Sequence, residues 1–177
     1  ETEHGLVSSH KPDSQDICFV PDSDYISFIE RYTGYKPVSG EYVFSDGKRA
    51  GEHSGIINYT IGQRKGLGVT FGKPVFVTDK DPLSNTVTLG DEAELFRRTL
   101  FLRDFNLIIA DKLSEPMRVT AKSRYSAKEQ SALLYPAENG IVRIKFDDPV
   151  RAPAKGQACV VYDGDIVVGG GVIARVE

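Results

Sequence analysis

Ala158-Cys159-Val160-Val161-Tyr162, the turn Asp163-Gly164-Asp165, and Ile166-Val167-Val168-Gly169-Gly170-Gly171-Val172-Ile173-Ala174 form the stretch that decides the fold. Two runs rich in β-branched residues flank an Asp-Gly pair, and that pair supplies the positive φ that a tight hairpin turn requires. Asn139-Gly140 repeats the signal upstream. Outward from these turns, alternation predicts strands over 100–109, 117–124, 131–135, 142–146, 158–162 and 166–174. Six short strands spaced roughly 8–15 residues apart, with no helix between them, predict a small closed or nearly closed antiparallel barrel. Cys159 alternates in step with Val161, so it reads as a core residue without chemistry.

The preceding third of the chain is also β-rich but differently built. Tyr25, Phe28, Ile29 and Tyr32 recur at helical steps, with Ser23 or Asp24 as N-cap and Gly34 as terminator, and this predicts one short helix whose aromatic stripe packs in a core. After Pro37 the period changes to two. Residues 41–45 lead into Asp46-Gly47, a hairpin signature, with 51–59 as the return segment. A second hairpin is predicted over 74–79 and 86–89, and residues 92–98 read as a short helix or linker. The expected fold is therefore mainly β: a tail over 1–21, a small β-rich central domain with one helix over 22–95, and a six-stranded barrel resembling translation-factor barrels over 96–177.

The totals fit such a chain. At 177 residues, 40% hydrophobic and 27% charged, it can bury a real core, and 17 glycines imply many tight turns. No apolar run reaches the ~20 residues that span a bilayer, so no membrane association is expected. Cys18 and Cys159 lie far apart, and with His4, His10 and His53 read as lone surface residues they form neither a disulfide framework nor a metal site; no metal and a reducing, cytoplasmic setting are expected. The chain starts at Glu1 and its sole methionine is Met117, as expected for a processed chain or a fragment. The formal net charge of −3 by itself argues against a dedicated nucleic-acid binder, DNA included. It conceals an asymmetry: residues 1–96 carry nine Lys and Arg against fifteen Asp and Glu, and residues 97–177 carry thirteen against ten. The basic bias of the second half suits a phosphate-contacting face or a plain solvated sheet.

Three stretches carry candidate chemistry. Pro12-Asp13-Ser14-Gln15-Asp16-Ile17-Cys18-Phe19-Val20-Pro21 places Cys18 in a proline-bracketed polar segment, where it reads either as a small buried side chain or as the chain's one credible nucleophile. Thr60-Ile61-Gly62-Gln63-Arg64-Lys65-Gly66-Leu67-Gly68 interleaves three glycines with a Gln-Arg-Lys triplet. It reads as a mobile turn or as a place where Gln63, Arg64 and Lys65 meet phosphates or a partner; nucleotide-loop spacings are not met. Lys122-Ser123-Arg124-Tyr125-Ser126 puts two cations on one face of a strand with an aromatic at its end, a pairing suited to a phosphate and a base. Arg151, Lys155 and Gln157 extend that face or form an ordinary surface loop.

Asp13-Ser14-Gln15-Asp16-Ile17-Cys18-Phe19, Asp22-Ser23-Asp24-Tyr25, Gly51-Glu52-His53, the Tyr59 to Gly68 block, and Tyr162-Asp163-Gly164-Asp165 with Gly169-Gly170-Gly171 occur in this order along the chain. Together they resemble the C-terminal half of the tRNA-specific 2-thiouridylases. The resemblance implies an enzyme that replaces the C2 oxygen of the tRNA wobble uridine with sulfur. An N-terminal ATP-pyrophosphatase domain would bind ATP and adenylate that oxygen, and Cys18 would carry the sulfur as a persulfide. It further implies tRNA contacts at Arg124, Tyr125 and Gln157, and a persulfide sulfur-donor protein as partner. This chain has no Ser-Gly-Gly-x-Asp-Ser loop for ATP, so ATP is expected outside it and the chain alone is expected to be inactive. A non-catalytic RNA- or protein-binding barrel module is the alternative.

Overall fold

The structure is a computed structural model that describes residue 20 and residues 24–177. Cys18, His4 and His10 lie outside the described residues. The chain forms two units, residues 1–38 and 39–177.

In the first unit, helix α1 spans Tyr25–Thr33. The Asp24 side chain accepts from the Ser27 N–H at 3.1 Å, and Gly34 at φ 71° closes the last turn with its N–H on the Glu30 carbonyl at 2.9 Å. Both ends are thus those expected from sequence. The core-packing expectation fails: α1 buries none of its residues, and Tyr32 is 81% exposed. Its stripe instead stacks on itself, with the Phe28 and Tyr32 rings 5.7 Å apart and nearly parallel.

In the second unit, strands β1 (Gly40–Phe44), β2 (Arg49–His53), β3 (Phe76–Asp81) and β4 (Thr86–Gly90) form a sheet in the order β2-β1-β4-β3. Both expected hairpins are present, while β1 and β4 run parallel. The return segment stops at His53 and gives way to a 3₁₀ turn at Ile56–Asn58. His53 is buried at 2% exposure and is not the surface residue expected. Its Nδ1 accepts the Gly55 N–H at 3.1 Å, so Nε2 carries the proton and donates to the Asn85 carbonyl, also at 3.1 Å. The ring packs edge-on against Tyr42 and Tyr59, with centroids 5.4 to 5.6 Å apart across the three pairs. A lone histidine gives no sign in sequence of two backbone partners held this way.

A 3₁₀ turn at Glu92–Leu95, closed by a capping box from Asp91 and Glu94, leads into the barrel. Its strands are β5 (Phe96–Leu107), β6 (Met117–Lys122), β7 (Gln130–Leu134), β8 (Val142–Arg151), β9 (Ala158–Asp163) and β10 (Ile166–Val176). They close in the order β10-β5-β8-β7-β6-β9, every pair antiparallel. Closure removes both sheet edges, which an open six-stranded sheet would leave unpaired. The alternating residues Leu100, Leu102, Leu134, Ile144, Phe146 and Ile173 fill the interior with Cys159 and Val161. Each buried aliphatic contributes about 1.5–3 kcal/mol relative to exposure. Gly169-Gly170-Gly171 reflects close packing, because a Cβ on Gly169 would lie 2.4 Å from the Asn106 carbonyl of β5. β5 begins and β8 ends several residues beyond the expected limits, since Phe96 pairs with Arg151 and Arg97 with Val150.

Candidate nucleic-acid interface

The seam between the sheet and the barrel brings most of the candidate residues together. Gly62 donates its N–H to Val77 at 2.8 Å, and Val77 returns its own to the Gln63 carbonyl at 2.9 Å, so the glycine-rich segment is bonded onto the start of β3. Gln63 Oε1 accepts from the Thr60 N–H at 2.9 Å and Nε2 donates to the Lys65 carbonyl at 3.0 Å. That side chain holds its own loop in shape, leaving Arg64 and Lys65 exposed. Gly62 sits at φ 88°, and a Cβ there would approach the Ala152 Cβ to 3.1 Å. The glycine is needed twice, for the left-handed backbone and for the close approach to the barrel.

Ala152 is the hub of the seam. It is buried with Phe76 and Leu95, partly covered by Ile61, and its N–H donates to the Leu95 carbonyl at 2.7 Å. The Arg124 guanidinium donates to the Ala152 carbonyl. Arg124 is not on a strand face, as alternation suggested: β6 ends at Lys122, Ser123 is buried, and Arg124 opens a turn closed by the Ala127 N–H on its carbonyl at 3.1 Å. The turn points the guanidinium back into the seam, where its Nε is buried without a hydrogen-bond partner among the described residues. Burial first, and then the Arg151 charge, hold its pKa below the usual arginine value. Arg151 faces Phe76 with its guanidinium 5.7 Å from the ring and pairs with Glu92 at 3.4 Å. Tyr125, next in chain, is 70% exposed.

The 152–157 loop continues along a cavity of about 260 Å³ lined by residues that include Thr60, Lys80, Lys155 and Gln157. Gln157 closes the loop by donating its N–H to the Ala154 carbonyl at 3.2 Å, and its Oε1 is buried without a partner among the described residues. Lys155 reaches Asp79 at 3.6 Å. Lys80 was not singled out by sequence. Its ammonium donates to the Tyr59 and Ile56 carbonyls at 2.6 and 3.3 Å, and burial lowers its pKa. Alternation in β3 could have placed Lys80 facing inward, but nothing in sequence names its two carbonyl partners.

Arg124 and Gln157 therefore flank one loop, Gly62 backs onto it, and Arg64, Lys65 and Tyr125 are exposed. Four cations, Arg124, Arg151, Lys80 and Lys155, converge on this seam against the carboxylates Glu92, Asp79 and Asp81, a small excess of positive charge. Among the described residues no helix is long and apolar enough to cross a membrane.

Two family profiles cover most of the chain. Residues 26–91 match the tRNA methyl transferase PRC-barrel domain, and residues 97–173 match the aminomethyltransferase beta-barrel domain. A protein of Acetivibrio thermocellus named tRNA-specific 2-thiouridylase MnmA is 56% identical over 171 residues, covering 97% of this chain and 48% of that protein. Proteins of the same name from Clostridioides difficile and Clostridium acetobutylicum are 49% and 50% identical, over 98% and 97% of this chain and 48% of each relative. The chain belongs to the tRNA-specific 2-thiouridylase family. It spans about half the length of the curated relatives it matches. In this family member the barrel and the four-stranded sheet meet at the Ala152 seam, and the expected tRNA-contacting positions Arg124 and Gln157 both border it.

Proposed function

We propose that this chain is the C-terminal part of a tRNA 2-thiouridylase that grips tRNA along the Ala152 seam while Cys18 delivers sulfur to C2 of the wobble uridine. The observation that carries this reading is identity of about half or more along nearly the whole chain to proteins named for that activity. On this reading residues 1–21 are the tail of the catalytic domain with the cysteine loop, 22–95 the central domain and 96–177 the tRNA-facing barrel. Arg124, anchored to Ala152, turns its remaining guanidinium donors to a phosphate. Tyr125 offers a ring face, Gln157 an amide, and Arg64 and Lys65 further positive charge.

A ring carbonyl oxygen is a poor leaving group, so its replacement requires prior activation, for which ATP is the co-substrate. This chain's residues do not fit ATP: the Gly62 to Gly68 spacing is not that of a phosphate loop, and the Gly62 N–H is already bonded to Val77. ATP binding is therefore assigned to the part of the enzyme outside this chain, and the chain alone is inactive. The outer sulfur of a Cys18 persulfide, supplied by a persulfide donor protein in the cytoplasm, is the nucleophile: it attacks the adenylated C2 and AMP leaves. A second cysteine thiol from the part of the enzyme outside this chain then attacks the Cys18 sulfur, breaking the S–S bond so that the thiouridine is released and a Cys18 disulfide forms.

The test is single-turnover thiolation by the full-length protein with a tRNA transcript, ATP and a persulfide donor. Cys18→Ser is expected to abolish thiolation and leave tRNA binding intact. Wild-type thiolation by that variant would remove Cys18 from the sulfur relay.

A further inference from the structure

On the outer face of the barrel, two arginine guanidinium groups sit over two aromatic rings. The Arg143 guanidinium carbon is 3.8 Å from the centre of the Tyr135 ring, and that of Arg175 is 3.7 Å from the centre of the Phe101 ring. Strand register makes this a single row. Tyr135 donates its N–H to the Arg143 carbonyl at 2.9 Å, Arg143 pairs with Phe101, and Phe101 pairs with Arg175. Aromatic and cation thus alternate across four adjacent strands or strand ends, and together with Glu138 and Asn139 they line a groove of about 290 Å³. Lys145, two residues along β8 on the same outward face, lengthens the positive row. Arg175 also pairs with Glu177, whereas among the described residues no carboxylate lies within ion-pair distance of Arg143.

We propose that this row is a second RNA-contact surface, one that holds an unstacked nucleotide and its phosphates. A guanidinium seated on a ring has already lost its rotamer freedom, so little order remains to be imposed on binding. Its outer face is left for a base to stack on, and its edge N–H groups for phosphate oxygens. A polypeptide carboxylate would use the edges alone and leave the two planes unused, which favours RNA over an acidic protein. Arg124 and Tyr135 sit at opposite ends of β6, roughly 20 Å apart along the strand, while at the other end of the row Arg175 adjoins Val176, which lines the seam cavity, so the row extends away from the seam and could engage a further part of the same RNA. The inference rests on the reading that the protein acts on tRNA.

The experiment measures binding of a labelled tRNA transcript to the full-length protein across about 0.05 to 0.3 M salt. Arg143→Ala with Arg175→Ala is expected to weaken binding about tenfold and to make the log–log salt slope shallower by about two. Arg143→Lys with Arg175→Lys is expected to keep the slope but recover only part of the affinity, since lysine keeps the charge and loses the plane. The lysine pair retains its methylene packing and decides the matter even if the alanine pair folds poorly: full wild-type affinity in it would overturn the stacking role. Unchanged affinity and slope in a folded alanine pair would overturn this surface while leaving the seam intact. Absence of tRNA binding by the wild-type protein would overturn the tRNA reading itself. Poly-glutamate competing as well as single-stranded RNA at equal charge would reassign the row to an acidic protein and overturn the proposal.

Discussion

Cys159 should be chemically silent in the folded protein, and the structure sets how silent. Its side chain is fully buried in the barrel between strands, and burial pushes the thiol from its ordinary 9.0 up to about 12. At about pH 8 an unperturbed thiol is roughly one-tenth thiolate, whereas one titrating near 12 is about one ten-thousandth thiolate. The thiolate fraction alone therefore slows alkylation about a thousandfold, before any steric exclusion is counted. Iodoacetamide labelling at about pH 8, followed over time by peptide mass mapping in native buffer and in guanidinium chloride, reads this directly. Cys18 serves as the internal comparison: rapid native labelling there, with Cys159 labelled only after unfolding, fits the sulfur-relay reading. The same shift has a linked signature. A folded-state pKa raised above the unfolded one stabilises fully below about pH 9 and loses that stabilisation as pH rises toward 12, a difference of up to about 4 kcal/mol. Unfolding measured for the wild type and Cys159→Ala across that window should show the steeper decline in the wild type. Native labelling of Cys159 at a rate near that of the denatured protein would refute the burial reasoning.

Two further substitutions probe the seam and the sheet. Arg124→Ala in the full-length protein should weaken tRNA binding and make the salt slope shallower by about one, as for one lost phosphate contact; an unchanged slope in a variant that melts normally would remove Arg124 from the RNA contact. Tyr42 is fully buried and its hydroxyl donates to the Leu67 carbonyl at 2.8 Å, so Tyr42→Phe should cost about 1–3 kcal/mol in chemical denaturation by leaving that carbonyl unpaired. A cost near zero would mean that solvent reaches the carbonyl in the variant.

What could be read from sequence was local. Asn139 and Gly140 adopt φ of 51° and 77°, the mirror-image turn that their residue types favour, and Gly164 at φ 55° does the same work after Asp163. Alternation between these turns placed six strands and put Cys159 inside, and the caps of α1 were written in Asp24 and Gly34. Ordered blocks of residues pointed to the family. The chain's fate at longer range was not legible. Alternation says which face a side chain takes, but not that β1 pairs in parallel with β4, that Arg124 turns back to Ala152, or that His53 sits between Gly55 and Asn85. The row of Tyr135, Arg143, Phe101 and Arg175 draws on residues up to 74 positions apart by number, from Phe101 to Arg175, and exists only because barrel closure fixes the register of β10, β5 and β8. Turn chemistry and hydrophobic period act over a few residues and so are carried by the sequence directly; which distant side chains meet is set by how the strands pair, and that is decided by packing the whole core at once.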